Sequence, residues 1–223
     1  SSQSIPVIVG HRPPPRSSRL NQIRDRCLVQ VRLEHSRRTS TCLTTSTTSG
    51  PSFYILNPTS LAKPNAFQLL AADVNLFKPD IVVICESWLK KHHPDSMFSL
   101  AKYTLFRHDR TKRKGGGICV YVNCAFTVHQ MPENARGNKF EMIWLRVETR
   151  NRMNFVLCCL YHPPTSSFTP YSAQDLTAEI DSVLHACSSR YPDHYFVITS
   201  DLNSLNLNNI ATDHGLSQIV DKA

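Results

Sequence analysis

Five apolar runs of strand length organise the chain from residue 53 onward, and they constrain its fold more than any other feature. Ile81-Val82-Val83-Ile84-Cys85 is unbroken, and residues 155–160 read the same way until Pro163-Pro164 stops them. An unbroken apolar run of this length suits a strand covered on both faces. Phe53-Tyr54-Ile55-Leu56, Ile118-Cys119-Val120-Tyr121-Val122 and Tyr195-Phe196-Val197-Ile198 belong to the same class. Ile143, Leu145 and Val147 alternate with more polar neighbours, as a half-buried strand does. Two helical patterns lie between the runs. Pro64 opens the first, which carries Phe67, Leu70, Ala71, Val74 and Phe77 on one face, and Pro79 ends it. In the second, Ser172 stands three residues before Asp175, a capping-box start, and Leu176, Ile180, Val183, Leu184 and Cys187 share a face. The alternation predicts an α/β fold of layered sheets and helices.

Residues 1–50 differ in composition. They hold eight Arg, one Asp and one Glu, so they carry +6 of the formal +8 and leave about +2 for the rest. They also contain Pro13-Pro14-Pro15 and a Ser/Thr run from Thr39 to Ser49. Such a segment buries too little apolar surface to offset its ordering entropy, so a disordered tail is expected over 1–50 and a domain over 51–223. A basic tail suits a polyanionic partner without specifying it. No apolar run approaches 18 residues, so no transmembrane helix is expected, and residues 1–10 do not make a signal peptide. The chain begins with Ser1 and is expected to be a fragment. None of the eight cysteines, at 27, 42, 85, 119, 124, 158, 159 and 187, forms a C-x-x-C pair. They read as reduced core thiols of an intracellular protein rather than a disulfide framework or a zinc site.

The polar residues that end the apolar runs carry the chemistry. The first run ends in Asn57, the second in Glu86, the run at 155–160 in Tyr161, and the last leads into Asp201 with Asn203 two residues on. Ligands of α/β folds gather beyond the carboxyl ends of strands. Four such ends at one edge would make an acidic, oxygen-rich site, suited to a hard cation and a phosphoester. Singly, each of these residues also reads as a strand terminator or a helix cap.

Four blocks, in order, resemble the endonuclease/exonuclease/phosphatase superfamily, with a particular likeness to the apurinic-endonuclease-like domains of non-LTR (LINE-type) retrotransposons. They are Leu56-Asn57-Pro58-Thr59-Ser60-Leu61; Lys78-Pro79-Asp80 through Cys85-Glu86-Ser87-Trp88-Leu89; Gly115-Gly116-Gly117 with the run to Val122; and Tyr161-His162-Pro163-Pro164, followed by Ser200-Asp201-Leu202-Asn203. The resemblance implies a four-layer α/β sandwich of two packed sheets flanked by helices. It implies Mg²⁺ (or Mn²⁺) held by Glu86 with Asn57 beside it, Asp201 orienting or deprotonating water, and Tyr161 and Asn203 contacting the phosphate. It implies DNA as partner, no membrane, and nuclear localisation after synthesis in the cytoplasm. Ser200 and Leu202 depart from the Gly and Phe that the family carries there, and a Gly-to-Ser change crowds the strand end if that backbone needs a positive φ. The family closes its site with a Ser-Asp-His that would follow Ala223, so the resemblance implies a domain cut short. Asp213-His214 lies in a stretch that resembles an upstream part of the family and takes no role.

Arg107, Arg110, Lys112, Arg113 and Lys114 fall within eight residues. They read equally as a loop gripping DNA phosphates and as a solvated turn. The three glycines after them are not a P-loop, because no Gly-Lys-Ser/Thr follows, and they read as a flexible turn into a strand. Trp88 and Trp144 read as core, and His92-His93 as a surface pair. The resulting expectation is a metal-dependent DNA endonuclease of a LINE-type element. Its rivals are a phosphoesterase acting on a small ester and an inactive nucleic-acid-binding remnant.

Overall fold

A computed structural model describes residues 7–11, 26–35, 46–111, 113–132, 139–150, 153–164, 169–203 and 205–219. Two mixed sheets form its centre. One has six strands in the order β11-β1-β10-β9-β8-β7: β1 is Val7–His11, β7 Thr127–Gln130, β8 Met142–Glu148, β9 Phe155–Tyr161, β10 Tyr195–Asp201 and β11 Ser217–Gln218. The other has five, in the order β2-β3-β4-β6-β5: β2 is Arg26–His35, β3 Ser46–Leu56, β4 Ile81–Cys85, β5 Tyr103–His108 and β6 Ile118–Asn123. Helix α1 (Ala66–Phe77) covers the five-stranded sheet, and α2 (Ala173–Arg190) and α3 (Asn208–His214) cover the six-stranded one.

Period-two alternation along the strands builds this arrangement. Phe53, Ile55, Ile81, Val83, Ile118 and Val120 face Leu145, Val147, Phe155, Leu157 and Val197 in the core between the sheets. Their alternate neighbours pack outward, Val82, Ile84 and Tyr121 against Leu70 and Val74 of α1, and Val156, Cys158 and Ile198 against Ile180 and Val183 of α2. The four-layer α/β sandwich expected from the sequence is the observed fold.

Helix α2 follows its sequence signals closely. Ser172 caps it, accepting from the Asp175 N–H at 3.0 Å, while the Asp175 carboxylate accepts from the Ser172 N–H at 3.0 Å. The five expected apolar residues are its buried ones. Ser172→Ala is expected to cost about 1 kcal/mol and to lower the thermal midpoint by roughly 2–4 °C, measurable by circular dichroism. In α1, Leu70 and Val74 are buried as expected, whereas Phe77 sits at the rim with its ring stacked on Tyr54.

Residues 1–50 depart from the expected unstructured tail over 7–11, 26–35 and 46–50. There β1 inserts between β10 and β11, and β2 pairs antiparallel with a β3 that starts before the apolar run. Arginine count and Ser/Thr content masked a local alternation, in which Val29, Val31 and Leu33 are spaced by Gln30, Arg32 and Glu34. Cys85, Cys119, Cys158, Cys159 and Cys187 are buried, and Cys124 is exposed. Among the described residues no helix is long and apolar enough to cross a membrane.

Candidate active site

Each sheet contains a parallel pair whose carboxyl ends reach the same place. In one sheet β3 runs parallel to β4, with Leu56 beside Ile84, so Asn57 and Glu86 follow side by side. Asp80 holds that register from the far end, its Oδ2 accepting from Ser52 N and Oγ, both at 2.8 Å. In the other sheet β9 and β10 are parallel, with Tyr161 beside Asp201. Because the sheets pack face to face, the two pairs of ends meet.

The meeting is hydrogen-bonded. The Asn57 amide donates to Asp201 Oδ2 at 2.7 Å and reaches Glu86 Oε1 at 3.4 Å. Its orientation is set because its Oδ1 accepts from the Thr59 N–H at 3.1 Å. The Tyr161 hydroxyl donates to Glu86 Oε1 at 2.6 Å, and the Trp88 indole donates to Oε2 at 3.2 Å. Burial, and then the bond to Glu86, push the Tyr161 phenol far above its ordinary range, so it remains a neutral donor at any working pH. Asp201 is 4% exposed. Among the described residues, Glu86 receives hydrogen bonds only from neutral donors and makes no ion pair.

Two carboxylates bridged by one amide, in a partly buried pocket of oxygen donors, fit a hard divalent cation. Glu86, Asp201 and the Asn57 side chain are the residues that could hold it. Glu86 sits in a left-handed conformation, φ 55°, as does Trp88 at 54°. Such backbone costs of order 1–3 kcal/mol and persists where its surroundings impose it.

Those surroundings come from the three glycines, which the sequence reading treated as a flexible turn. They instead pack tightly: the Ser87 N–H donates to Gly117 O at 3.0 Å and the Trp88 N–H to Gly116 O at 2.9 Å, pinning the residues just after Glu86. Glu141 secures the turn, its Oε2 accepting from the Gly117 N–H at 2.6 Å and its Oε1 from Arg110 Nε at 2.5 Å.

Asn57, Glu86, Tyr161 and Asp201 therefore converge as the sequence pattern anticipated. Asn203 stands one step aside. It is left-handed, φ 48°, and its amide donates to the His162 carbonyl at 2.6 Å, while the His162 N–H donates to the Asp201 carbonyl at 3.1 Å. Ser200 lies within strand β10, so no left-handed backbone is needed there.

The basic stretch divides. Arg107 lies in β5 rather than a loop, and its five N–H donors go to Asp109, Asp95 and the carbonyls of Lys90 and His93. Arg110 pairs with Glu141 beside the Tyr161 ring. Both are structural ties rather than free phosphate ligands. Arg113 and Lys114 are exposed, with the Lys114 ammonium 5.6 Å above the Trp88 ring. Lys112 lies outside the described residues. Trp144 is core, but Trp88, also expected in the core, lines the site through its indole N–H. Glu141 escaped sequence reasoning because its partners Arg110 and Gly117 are distant in the chain and no local pattern marks it.

The fold is shared with a solved structure, and further structures are similar to the chain. An AP endonuclease from Leishmania major superposes with TM-score 0.54 at 18% identity, covering 67% of this chain and 54% of that one. A D. rerio TDP2 complexed with a single-strand DNA product matches at TM-score 0.49 and 14% identity, over 73% of this chain and 64% of that one. A human Nocturnin catalytic domain matches at 0.44 and 11%, over 74% and 62%. The chain thus spans between about half and two thirds of the structures it matches. No family model matches the sequence, and no curated protein matches it.

Proposed function

We propose that this chain is a divalent-metal-dependent phosphodiesterase that nicks DNA, acting as the endonuclease of a LINE-type retrotransposon. The observation that carries the reading is the Asn57 amide joining Asp201 at 2.7 Å to Glu86 at 3.4 Å across the carboxyl ends of two parallel strand pairs. Glu86 and Asn57 are the ligands for Mg²⁺ or Mn²⁺, with Asp201 at the edge of the same cluster. A divalent cation held by these residues would supply charge neutralisation at the phosphodiester. Asp201 takes the proton from the water that attacks in line with the leaving oxygen. Tyr161 holds the Glu86 carboxylate through its short hydrogen bond and stays protonated as it does so. Asn203 fixes the His162 backbone beside Asp201 and supports the phosphate-contacting rim. Lys114, exposed beside the Trp88 ring, and Arg113, exposed one residue before it, are basic side chains that a nucleic-acid backbone would meet. A DNA substrate places the mature protein in the nucleus.

The test is conversion of supercoiled plasmid to open circles by this chain with Mg²⁺ and with EDTA, beside phosphate release from a small phosphomonoester. Nicking that requires Mg²⁺ is the expected result. Phosphate release without nicking moves the substrate to a small ester. Steeply salt-dependent DNA binding without scission would leave a binding protein and overturn the catalytic reading.

A further inference from the structure

The outer helical layer holds a second group of metal-ligating side chains, none of which belongs to the candidate active site. Asp181 and His185 lie one turn apart on α2, and His214 reaches them from the last turn of α3. One ligand atom from each falls within 4.8 Å of the others. His214 Nε2 is 2.7 Å from Asp181 Oδ1, and His185 Nδ1 is 3.3 Å from the same oxygen and 3.0 Å from the Asp181 carbonyl. The two imidazole rings meet edge to face with centroids 4.6 Å apart.

We propose that Asp181, His185 and His214 form a zinc-type divalent-metal site that clips α3 onto α2. Two imidazoles and one carboxylate are the donor set of borderline ions such as Zn²⁺, whereas Mg²⁺ takes oxygen. Around a tetrahedral zinc, with bonds of about 2.0–2.1 Å, neighbouring ligand atoms stand about 3.3 Å apart. The Asp181–His185 separation already has that value, and the Asp181–His214 separation has to open by only about 0.6 Å from 2.7 Å. The site is accessible yet anchored, because the His214 side chain is 7% exposed and the His185 side chain 68% exposed. Water completes the coordination from the open side. His185 Nδ1 also contacts the Asp181 carbonyl at 3.0 Å, and metal binding would exchange that backbone contact for the ion. The local backbone suits a clip, since α3 is only seven residues long and ends at Gly215, whose left-handed φ of 63° stops the helix directly after His214.

The proposal does not depend on the active-site reading, and the experiment separates the two. Zn²⁺ binding is measured by calorimetry on metal-stripped chain carrying Glu86→Gln, which weakens the candidate catalytic site, with and without His185→Ala. His185 is exposed, so its loss leaves folding intact, checked by circular dichroism. One equivalent of Zn²⁺ is expected in the first protein, with a thermal midpoint that rises on zinc addition. In the second, affinity is expected to fall by more than the roughly 10–100-fold typical of losing an outer-shell partner, and the midpoint no longer responds to zinc. Co²⁺ as a probe is expected to give a tetrahedral visible spectrum without a thiolate charge-transfer band, which separates this site from the cysteines. Equal zinc stoichiometry and affinity with and without His185, or a thiolate band, would overturn the proposal.

Discussion

Asn in place of Asp201 is expected to slow plasmid nicking by about 10²–10⁴-fold, the usual contribution of a positioned general base. The substitution is nearly isosteric, and its remaining carbonyl oxygen still accepts the Asn57 amide, now 2.7 Å from Asp201 Oδ2. The strand end therefore survives while the proton acceptor is lost. Glu86→Gln is expected to cause a loss of similar size for a different reason. Its carbonyl oxygen still accepts the Tyr161 hydroxyl, which sits at 2.6 Å in the parent, but the charge that would hold the cation is gone. Raising Mg²⁺ then separates the two roles, because excess cation partly restores Glu86→Gln and leaves Asp201→Asn unchanged. Initial rates of open-circle formation across a Mg²⁺ titration measure both. A rate within about threefold of the parent for either variant is incompatible with hydrolysis at this site, given the contribution expected of such a group.

Gly116→Ala carries the second large expected effect, on stability and activity together. Gly116 has φ +66°, and a Cβ built there comes within 2.3 Å of the Arg110 Cζ and 2.5 Å of Glu141 Oε2. Left-handed backbone costs an alanine roughly 1–2 kcal/mol. The methyl group also pushes apart Arg110 and Glu141, whose side chains are 17% and 11% exposed. Separating charges that are largely removed from water adds to the loss, so the total is expected near 2–4 kcal/mol, or about 5–15 °C in thermal midpoint for a chain of this size. Gly215→Ala is the control. Gly215 has a similar φ of +63° with nothing within 4 Å of the new methyl, so only the backbone cost of about 1 kcal/mol applies. If the two variants melt together, the clash with Arg110 and Glu141 contributes nothing. Nicking by Gly116→Ala is expected to fall even at temperatures where it is folded, because Gly116 O fixes the Trp88 backbone two residues past Glu86.

Local signals and long-range ties differ sharply in how far they could be read from the residues. Helix α2 was legible to its cap, because Ser172, Asp175 and a five-residue apolar face all act within a few turns of chain. Strand β4 was legible because an unbroken apolar run admits few alternatives. The convergence of Asn57, Glu86, Tyr161 and Asp201 was legible because each directly ends or follows an apolar strand. Strand β5 was not: Arg107 and His108 count as surface charge until Asp95, Asp109 and two backbone carbonyls are seen around the guanidinium. The Arg110–Glu141 tie spans 31 residues and leaves no periodic trace, so the turn it secures looked slack. Strand β2 was hidden for the opposite reason, its alternation obscured by the composition of the fifty residues around it.

The amide bridge between Asn57 and Asp201 spans 144 residues of chain. At a synthesis rate of about 5–20 residues per second, roughly 7–29 s separate the emergence of its two ends. During that interval the Asn57–Glu86 half lacks Asp201, and its sheet has only β8 and β9 of the facing core to pack against as they emerge. The nascent chain therefore cannot assemble the complete acidic cluster before β10 emerges and the second sheet docks. Completion of the Asn57–Glu86–Asp201 cluster is accordingly a late event in folding, timed by topology. Variants that slow the docking of the sheets would prolong this unpaired state and lower the yield of folded protein before they alter the chemistry of any molecule that completes it.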